Sequence, residues 1–312
     1  MPLAEGEWKL SYSANGVYPG ANFTFGTWRT GYYLLEPFEI KNADVTNSDS
    51  ALPREDGVRF GQDFTSGATI TFEVGVDTVD DGTTAMARHG ANLGAVSVMQ
   101  QAWDGRAIRG HMATPAVLST TQGGRARRWF GRPRQCAPAA SKLTRQGYTP
   151  VVANFATLHT GSFDDVEQSV RVDMAPPPHR GIKGPLKAPL AMVGEGAVRT
   201  PGEIVVGGNR PTWPVISITG PISQPVCELV GRWKLQLDLT LKVGEKVVID
   251  PRPWVRTVLR GSASVAGQIT RSSPLLENLL IPPGRRDFVL RGTDATATAS
   301  MTVAWRDAYA YL

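Results

Sequence analysis

The chain has 312 residues, of which 41% are apolar and 20% charged, with a formal net charge of +5. That apolar content excludes a disordered protein, and the length suits two domains better than one core. No apolar run reaches the roughly 18 residues of a membrane helix, and the opening MPLAEGEWKL lacks the basic and apolar regions of a secretory leader, so the chain is read as soluble and without a signal peptide.

Taken in chain order, the elements are mostly strands, as 33 glycines and 23 prolines among alternating apolar residues imply. ANFTFGTW, GYYLLEPFEI and ATITFEVGV come first. In the last of these Ile70, Phe72, Val74 and Val76 recur with the period of two that turns one face to a core. The intervening LPREDGVRFGQDF is turn-rich. After VDDGTT the spacing predicts the one long helix, with Leu93, Val96, Met99 and Trp103 on its core face and Asp81 or Thr83 as its cap. Gly90 and Gly94 each weaken that helix by about 1 kcal/mol against Ala, which reads as a sign of close packing.

AVLSTTQGGRARRWFG then predicts a hairpin turning at Gly123 and Gly124, and VVANFATL and VEQSVRVDM return to the sheet. APPPHRGIKGPLKAPL is proline-rich and without periodicity, as a linker would be. The expected domains are therefore residues 1–175 and 191–312, joined by a linker over 176–190. In the second, KLQLDLTLKV puts Leu235, Leu237, Leu239, Leu241 and Val243 on one face, and ATATASMTV does the same with Ala297, Ala299, Met301 and Val303. VISITG, KVVID, WVRTVLRG and RDFVLRG complete an all-β sandwich that needs no helix. The expected class is mainly β: an N-terminal domain with one helix and a long hairpin, then a C-terminal sandwich.

The charge is unevenly placed. Residues 105–150 hold nine bases and no acid, whereas the rest of residues 1–175 holds seven bases against eighteen acids, a net of −11. A solvated loop, a nucleic-acid surface and an arm for acidic protein surfaces all suit GGRARRWFGRPR, in which arginines flank aromatics.

Catalytic signatures are absent: there is no G-x-S-x-G elbow, no phosphate-binding G-x-x-x-x-G-K-[ST] loop and no H-E-x-x-H pair. Asp164 with Asp165 or Glu167 is the best acid pair, but neighbours on a strand point to opposite faces. Cys136 and Cys227 lie far apart without the spacing of a zinc site, and nothing implies a metal or cofactor. The chain is therefore not expected to be an enzyme. A carbohydrate-binding module is the alternative, since Trp213, Trp233, Trp254 and Trp305 could stack on sugars, Trp254 from an exposed proline-rich turn. The favoured reading is that these tryptophans plug the ends of the sandwich.

Several motifs carry a family resemblance: LPREDGVRFGQDF before a strand, the GRPR that ends the basic hairpin, and NRPTWPVISITGPISQP, LKVGEKVVIDPRPWVRTV, LLIPPGRRDFVLRG and TVAWRDAYAYL in the second domain. Together they resemble the distal tail proteins of siphophages, which in phages of actinobacteria are often labelled minor tail proteins. The resemblance implies an N-terminal domain that forms a ring, of six copies, at the tip of the tail tube, and a galectin-like second domain. Such a ring would join the tube protein to the tail-associated hub protein. The tape-measure protein's end and then DNA would pass through its lumen, with no membrane contact. The protein would be made in the host cytoplasm and reside in the virion, at the tail tip. Sugar-binding galectins use a His in an H-x-N-x-R strand, and no His follows His179 here, so the sandwich is expected to be a scaffold. Arg125, Arg127, Arg128, Trp129, Phe130, Arg132 and Arg134 are the expected contacts to a neighbouring copy or the tube.

Overall fold

The computed structural model describes residues 2–41, 45–54, 56–111, 114–174, 202–296 and 298–312. The chain forms two compact units, Met1–Asp165 with Tyr309–Leu312, and Val166–Ala308.

In the first unit, β1 (Trp8–Tyr12), β2 (Ala21–Phe25), β3 (Tyr32–Leu34) and β4 (Glu39–Lys41) lead into four short strands, β5 (Val45–Thr46), β6 (Ser50–Ala51), β7 (Val58–Arg59) and β8 (Phe64–Thr65). There β5 pairs β8 and β6 pairs β7, so one ribbon is nested on the other. β9 (Thr69–Asp77), α1 (Ala85–Asp104), α2 (Arg106–Arg109), β10 (Ala116–Gln122), β11 (Arg125–Pro138), β12 (Tyr148–Thr157) and β13 (Ser162–Asp164) follow. The main sheet runs β2-β1-β10-β11-β12-β9-β3. Its two ends meet at Gly26, whose N–H donates to the Tyr32 carbonyl at 2.7 Å while its carbonyl accepts from the Leu34 N–H at 3.3 Å. The sheet thus nearly closes on itself, which hides edges that would otherwise recruit other chains. Only glycine serves here: φ is +116°, and a Cβ would lie 2.5 Å from the Gly6 carbonyl oxygen.

The alternation expected in β9 is present. Ile70, Phe72 and Val74 are fully buried opposite Phe155, Ala153 and Val151 of β12. Each large side chain so buried contributes about 1.5–3 kcal/mol. The helix also forms, with Val96, Met99 and Trp103 buried as expected, but Asn92 and not Leu93 completes that inward face. Asn92 can be buried because all its polar capacity is met. Its Nδ2 donates to the carbonyls of Val76 and Gly147, at 3.1 and 2.9 Å, and its Oδ1 accepts from the Thr149 hydroxyl. The cap is Thr84, whose hydroxyl accepts from the Ala87 N–H at 3.2 Å, and not Asp81 or Thr83. Gly90 and Gly94 do not mark close packing, since a Cβ at either would meet nothing within 4 Å.

In the second unit, β14 (Gln168–Asp173) is followed by β15 (Glu203–Val206), β16 (Val215–Thr219), β17 (Ile222–Leu229), β18 (Trp233–Gln236), β19 (Thr240–Leu241), β20 (Lys246–Asp250), β21 (Thr257–Arg260), β22 (Ala263–Ser264), β23 (Gly284–Thr293) and β24 (Ser300–Trp305). One sheet has the order β14-β24-β16-β20-β21-β22 and the other β15-β23-β17-β18, with β19 also on β17. Ile216, Ile218, Val247, Ile249, Met301 and Val303 from the first sheet share a single core with Leu229, Leu235, Phe288 and Leu290 from the second. This is the expected sandwich.

Three expectations change. The units divide after Asp165 and not at residue 175, because β14 pairs along its whole length with β24. VEQSVRVDM therefore belongs to the sandwich. The linker over 176–190, together with Ala297, lies outside the described residues. KLQLDLTLKV is not one strand: it breaks into β18 and β19, with Leu235, Leu237 and Leu241 buried, Leu239 half-buried and Val243 81% exposed in a turn.

The turn before β24 is closed by Asp294. Desolvation raises its pKa, but the Thr296 hydroxyl and the N–H groups of Ala299, Thr296 and Thr298 all donate to the carboxylate and hold it down at about 2. A folded pKa below the unfolded value of about 3.9 gives stability that is present above pH ~4 and is lost as pH falls toward 2. Asp294→Asn is therefore expected to lower Tm at pH 6 and to match the parent near pH 2. A constant offset across that range would show that the ionised carboxylate is not what closes the turn.

Candidate interaction surfaces

The basic residues of the hairpin lie on β11, a strand of fourteen residues paired to both β10 and β12, with glycines at φ +59° and +70° in the turn before it. Strand alternation separates residues that are adjacent in sequence. Arg127 and Trp129 point inward, leaving Arg127 5% and Trp129 2% exposed. Trp129 stacks on Trp8 with ring centroids 5.5 Å apart, as part of the core. Arg127 is ion-paired with Asp164 of β13, and its guanidinium lies 3.7 Å above the ring of Tyr309. Arg128, on the opposite face, donates from Nε and Nη2 to Asp165 at 2.9 and 2.7 Å. Asp165 also accepts from the Ser119 hydroxyl at 3.2 Å.

Asp164 and Asp165 thus do point to opposite faces, and each holds a guanidinium of the same unit. Phe130 packs edge-on to Phe163 at 5.6 Å, and Arg132 donates to the carbonyls of Arg109 and His111. Of the seven expected contact residues, Trp129 and Arg127 are therefore corrected to interior positions. Arg128 and Arg132 are committed to partners of their own chain. Arg125 and Arg134 are exposed.

A different basic surface takes shape beyond β11's irregularity between Pro133 and Cys136. There Arg134 borders a cleft of about 500 Å3 beside the end of α1, which Trp103, Asp104, Arg106, Arg109 and Cys136 also line. Asp104 is the only acid of that lining; it lies 2.9 Å from Arg106 and 3.8 Å from Arg109. Among the described residues Arg134 has no ion-pair partner. It also borders a second cleft, of about 280 Å3, beside Arg132 and Leu158.

The ribbons β5–β8 form an arm that sequence reasoning missed. Every described residue over 45–66 is exposed, including Phe60 at 85%, Phe64 at 56%, Val45 and Val58. Asp49 braces its neck, accepting from the Gly61 N–H at 2.9 Å, and the tip is closed by the Leu52 N–H on the Gly57 carbonyl. The signal lay in two phenylalanines among turn residues with no apolar alternation around them. Large apolar groups side by side in water are uncommon on a free protein and mark a surface that something covers.

In the second unit Trp254 is 9% exposed, in edge-to-face contact with Trp213 at 6.1 Å and beneath the Arg252 guanidinium at 5.9 Å. That burial leaves little of its ring for a sugar and speaks against the stacking role considered for it. Trp233 packs on Phe288 at 5.7 Å and donates to the Leu280 carbonyl, and Trp305 is buried. Burial pushes the Cys136 thiol up to about 11 and raises that of Cys227 as well, so neither is a thiolate at neutral pH. Among the described residues no His, Cys, Asp and Glu cluster could hold a metal, and no helix is long and apolar enough to cross a membrane.

No protein-family model matches the sequence, and no curated protein does. Among solved structures, the Dit protein (gp 19.1) of phage SPP1, described as a paradigm of the hub adsorption apparatus in phages infecting Gram-positive hosts, matches with a TM-score of 0.57. The match covers 96% of this chain and 98% of that one at 11% identity. The chain has a Dit fold. Two structures of the phage P2 baseplate in its activated conformation, with Ca and with Sr, match with TM-scores of 0.46 at 8% identity, over 96% of this chain and 97% of theirs. The fold expected from the sequence, a mainly β chain with one long helix and a hairpin followed by a sandwich, is the fold observed.

Proposed function

We propose that this chain is a structural protein of a siphophage tail tip, a distal tail protein whose first units assemble head to tail into a closed ring of six. The Dit fold over nearly the whole chain supports the tail-tip reading. The observation that carries the ring is the arm over 45–66, whose exposed phenylalanines need a covering surface. An arm on one side of a unit and its acceptor on another make a heterologous contact, and such contacts close into rings when the rotation permits. The ring joins the tube protein to the tail-associated hub protein, and the tape-measure end and DNA pass through its lumen. The sandwich is a scaffold for neighbouring tail proteins, and the chain performs no catalysis.

The test is solution mass. The full chain is expected to sediment as a closed oligomer with six times the chain's mass, and a variant with residues 45–66 replaced by a short Gly-Ser turn as a monomer. A full chain that stays monomeric at high concentration, or an armless chain that still forms the ring, would overturn the reading.

A further inference from the structure

We infer that the cleft of Arg106, Arg109 and Arg134 is the acceptor for the arm of the neighbouring copy, the acidic arm seating its carboxylates among these guanidiniums. This rests on the ring reading above and adds the surface that the arm meets.

The charges are complementary. Residues 45–66 carry Asp49, Glu55, Asp56 and Asp63 against Arg54 and Arg59, a net of −2. The two adjoining clefts carry Arg106, Arg109, Arg132 and Arg134 against Asp104, a net of +3. Elsewhere on β11 the charges are neutralised within the chain, Arg127 by Asp164 and Arg128 by Asp165. Of the arginines over 127–134, the two without an ion-pair partner among the described residues, Arg132 and Arg134, both border these clefts. Arg134 has no ion-pair partner among the described residues, and the Arg106 and Arg109 side chains are 66% and 50% exposed while sharing one carboxylate. Guanidiniums arranged this way suit carboxylates held by a protein surface, since each fork takes two oxygens in a fixed plane.

Shape agrees with charge. The cleft offers the half-buried Cys136, and the adjoining cleft offers the exposed Leu158, apolar surface against which an aromatic ring can settle. The arm brings Phe60 and Phe64 next to Asp63. A track for nucleic acid would instead need basic residues spread along a groove, and here they gather around two clefts that share Arg134.

A charge-swap series on the full chain decides this, read by sedimentation across concentration, with far-UV spectra and melting curves confirming that each variant folds. Arg109→Glu with Arg134→Glu is expected to raise the concentration for half-assembly by about 100-fold, and Asp56→Arg with Asp63→Arg to do the same. Combining all four is expected to restore assembly to within about tenfold of the parent. If the armless chain is monomeric while the cleft variant assembles like the parent, the arm reading stands and this acceptor is overturned. If the cleft variant falls apart and the four-fold variant does not recover, the cleft is an interface for some surface other than the arm, which also overturns it. An armless chain that still forms rings overturns the ring-by-arm reading first.

Discussion

Leu237→Asp is expected to unfold the second unit, while Val243→Asp, six residues along the same apolar pattern, leaves it intact. Leu237 is 1% exposed at the centre of the core shared by the two sheets, and Val243 stands 81% exposed in a turn. A carboxylate forced into that core without a partner costs several kcal/mol, a large part of the roughly 5–15 kcal/mol that holds a domain together. A surface substitution typically stays within about 0.5 kcal/mol. In a melting experiment the aspartate at 237 should abolish one of the chain's two transitions, and the aspartate at 243 should leave both. Equal effects from the two would mean that the break between β18 and β19 is wrong and the leucines form one uninterrupted strand.

Arg127→Ala is expected to destabilise the first unit by about 3 kcal/mol, because it removes the cation paired with Asp164, whose side chain is 25% exposed, and uncovers the ring of Tyr309. Replacing the pair together, Arg127→Met with Asp164→Leu, should recover most of that loss, since two apolar groups need no compensation. Denaturant titration of the two single variants and the double variant measures the coupling. A loss below about 1 kcal/mol for Arg127→Ala would place the guanidinium at the surface. This also bears on assembly tests. Neutralising Arg125, Arg127 and Arg128 together would damage the unit itself, so a failure to assemble would say nothing about an interface. Arg134 and the arm carboxylates offer cleaner probes.

The strands were legible wherever one face meets a core and the other meets water, as in β9, and the hairpin was legible because Gly123 and Gly124 supply the positive φ its turn demands. What escaped pattern reading has physical causes. On the helix Leu93 gives way to Asn92, which is buried on the strength of three hydrogen bonds that hydropathy does not register. The break in the leucine run answers to an irregularity in its neighbour, where β17 shifts register between Ser223 and Val226 with Gln224 at φ +50°. The basic segment looked like one surface because its charges were counted along the chain. Alternation sends Arg127 and Trp129 inward, to partners in distant segments. The domain boundary was misplaced because period-two alternation in β14 says that a sheet is present without saying which one.

The route of the chain between the two units has a consequence for synthesis. The first unit includes Tyr309–Leu312, with the Ser162 hydroxyl donating to the Tyr311 carbonyl, Leu312 against the core and Tyr309 under Arg127. The whole sandwich is therefore translated between Asp165 and the last segment that the first unit needs. A nascent chain can form the main sheet early, but Arg127 waits for its aromatic partner until the sandwich has been translated. Half-made copies on one messenger thus meet each other with unfinished first units. The first unit is thus complete only in molecules whose second unit already exists, a proofreading step that follows from chain topology alone.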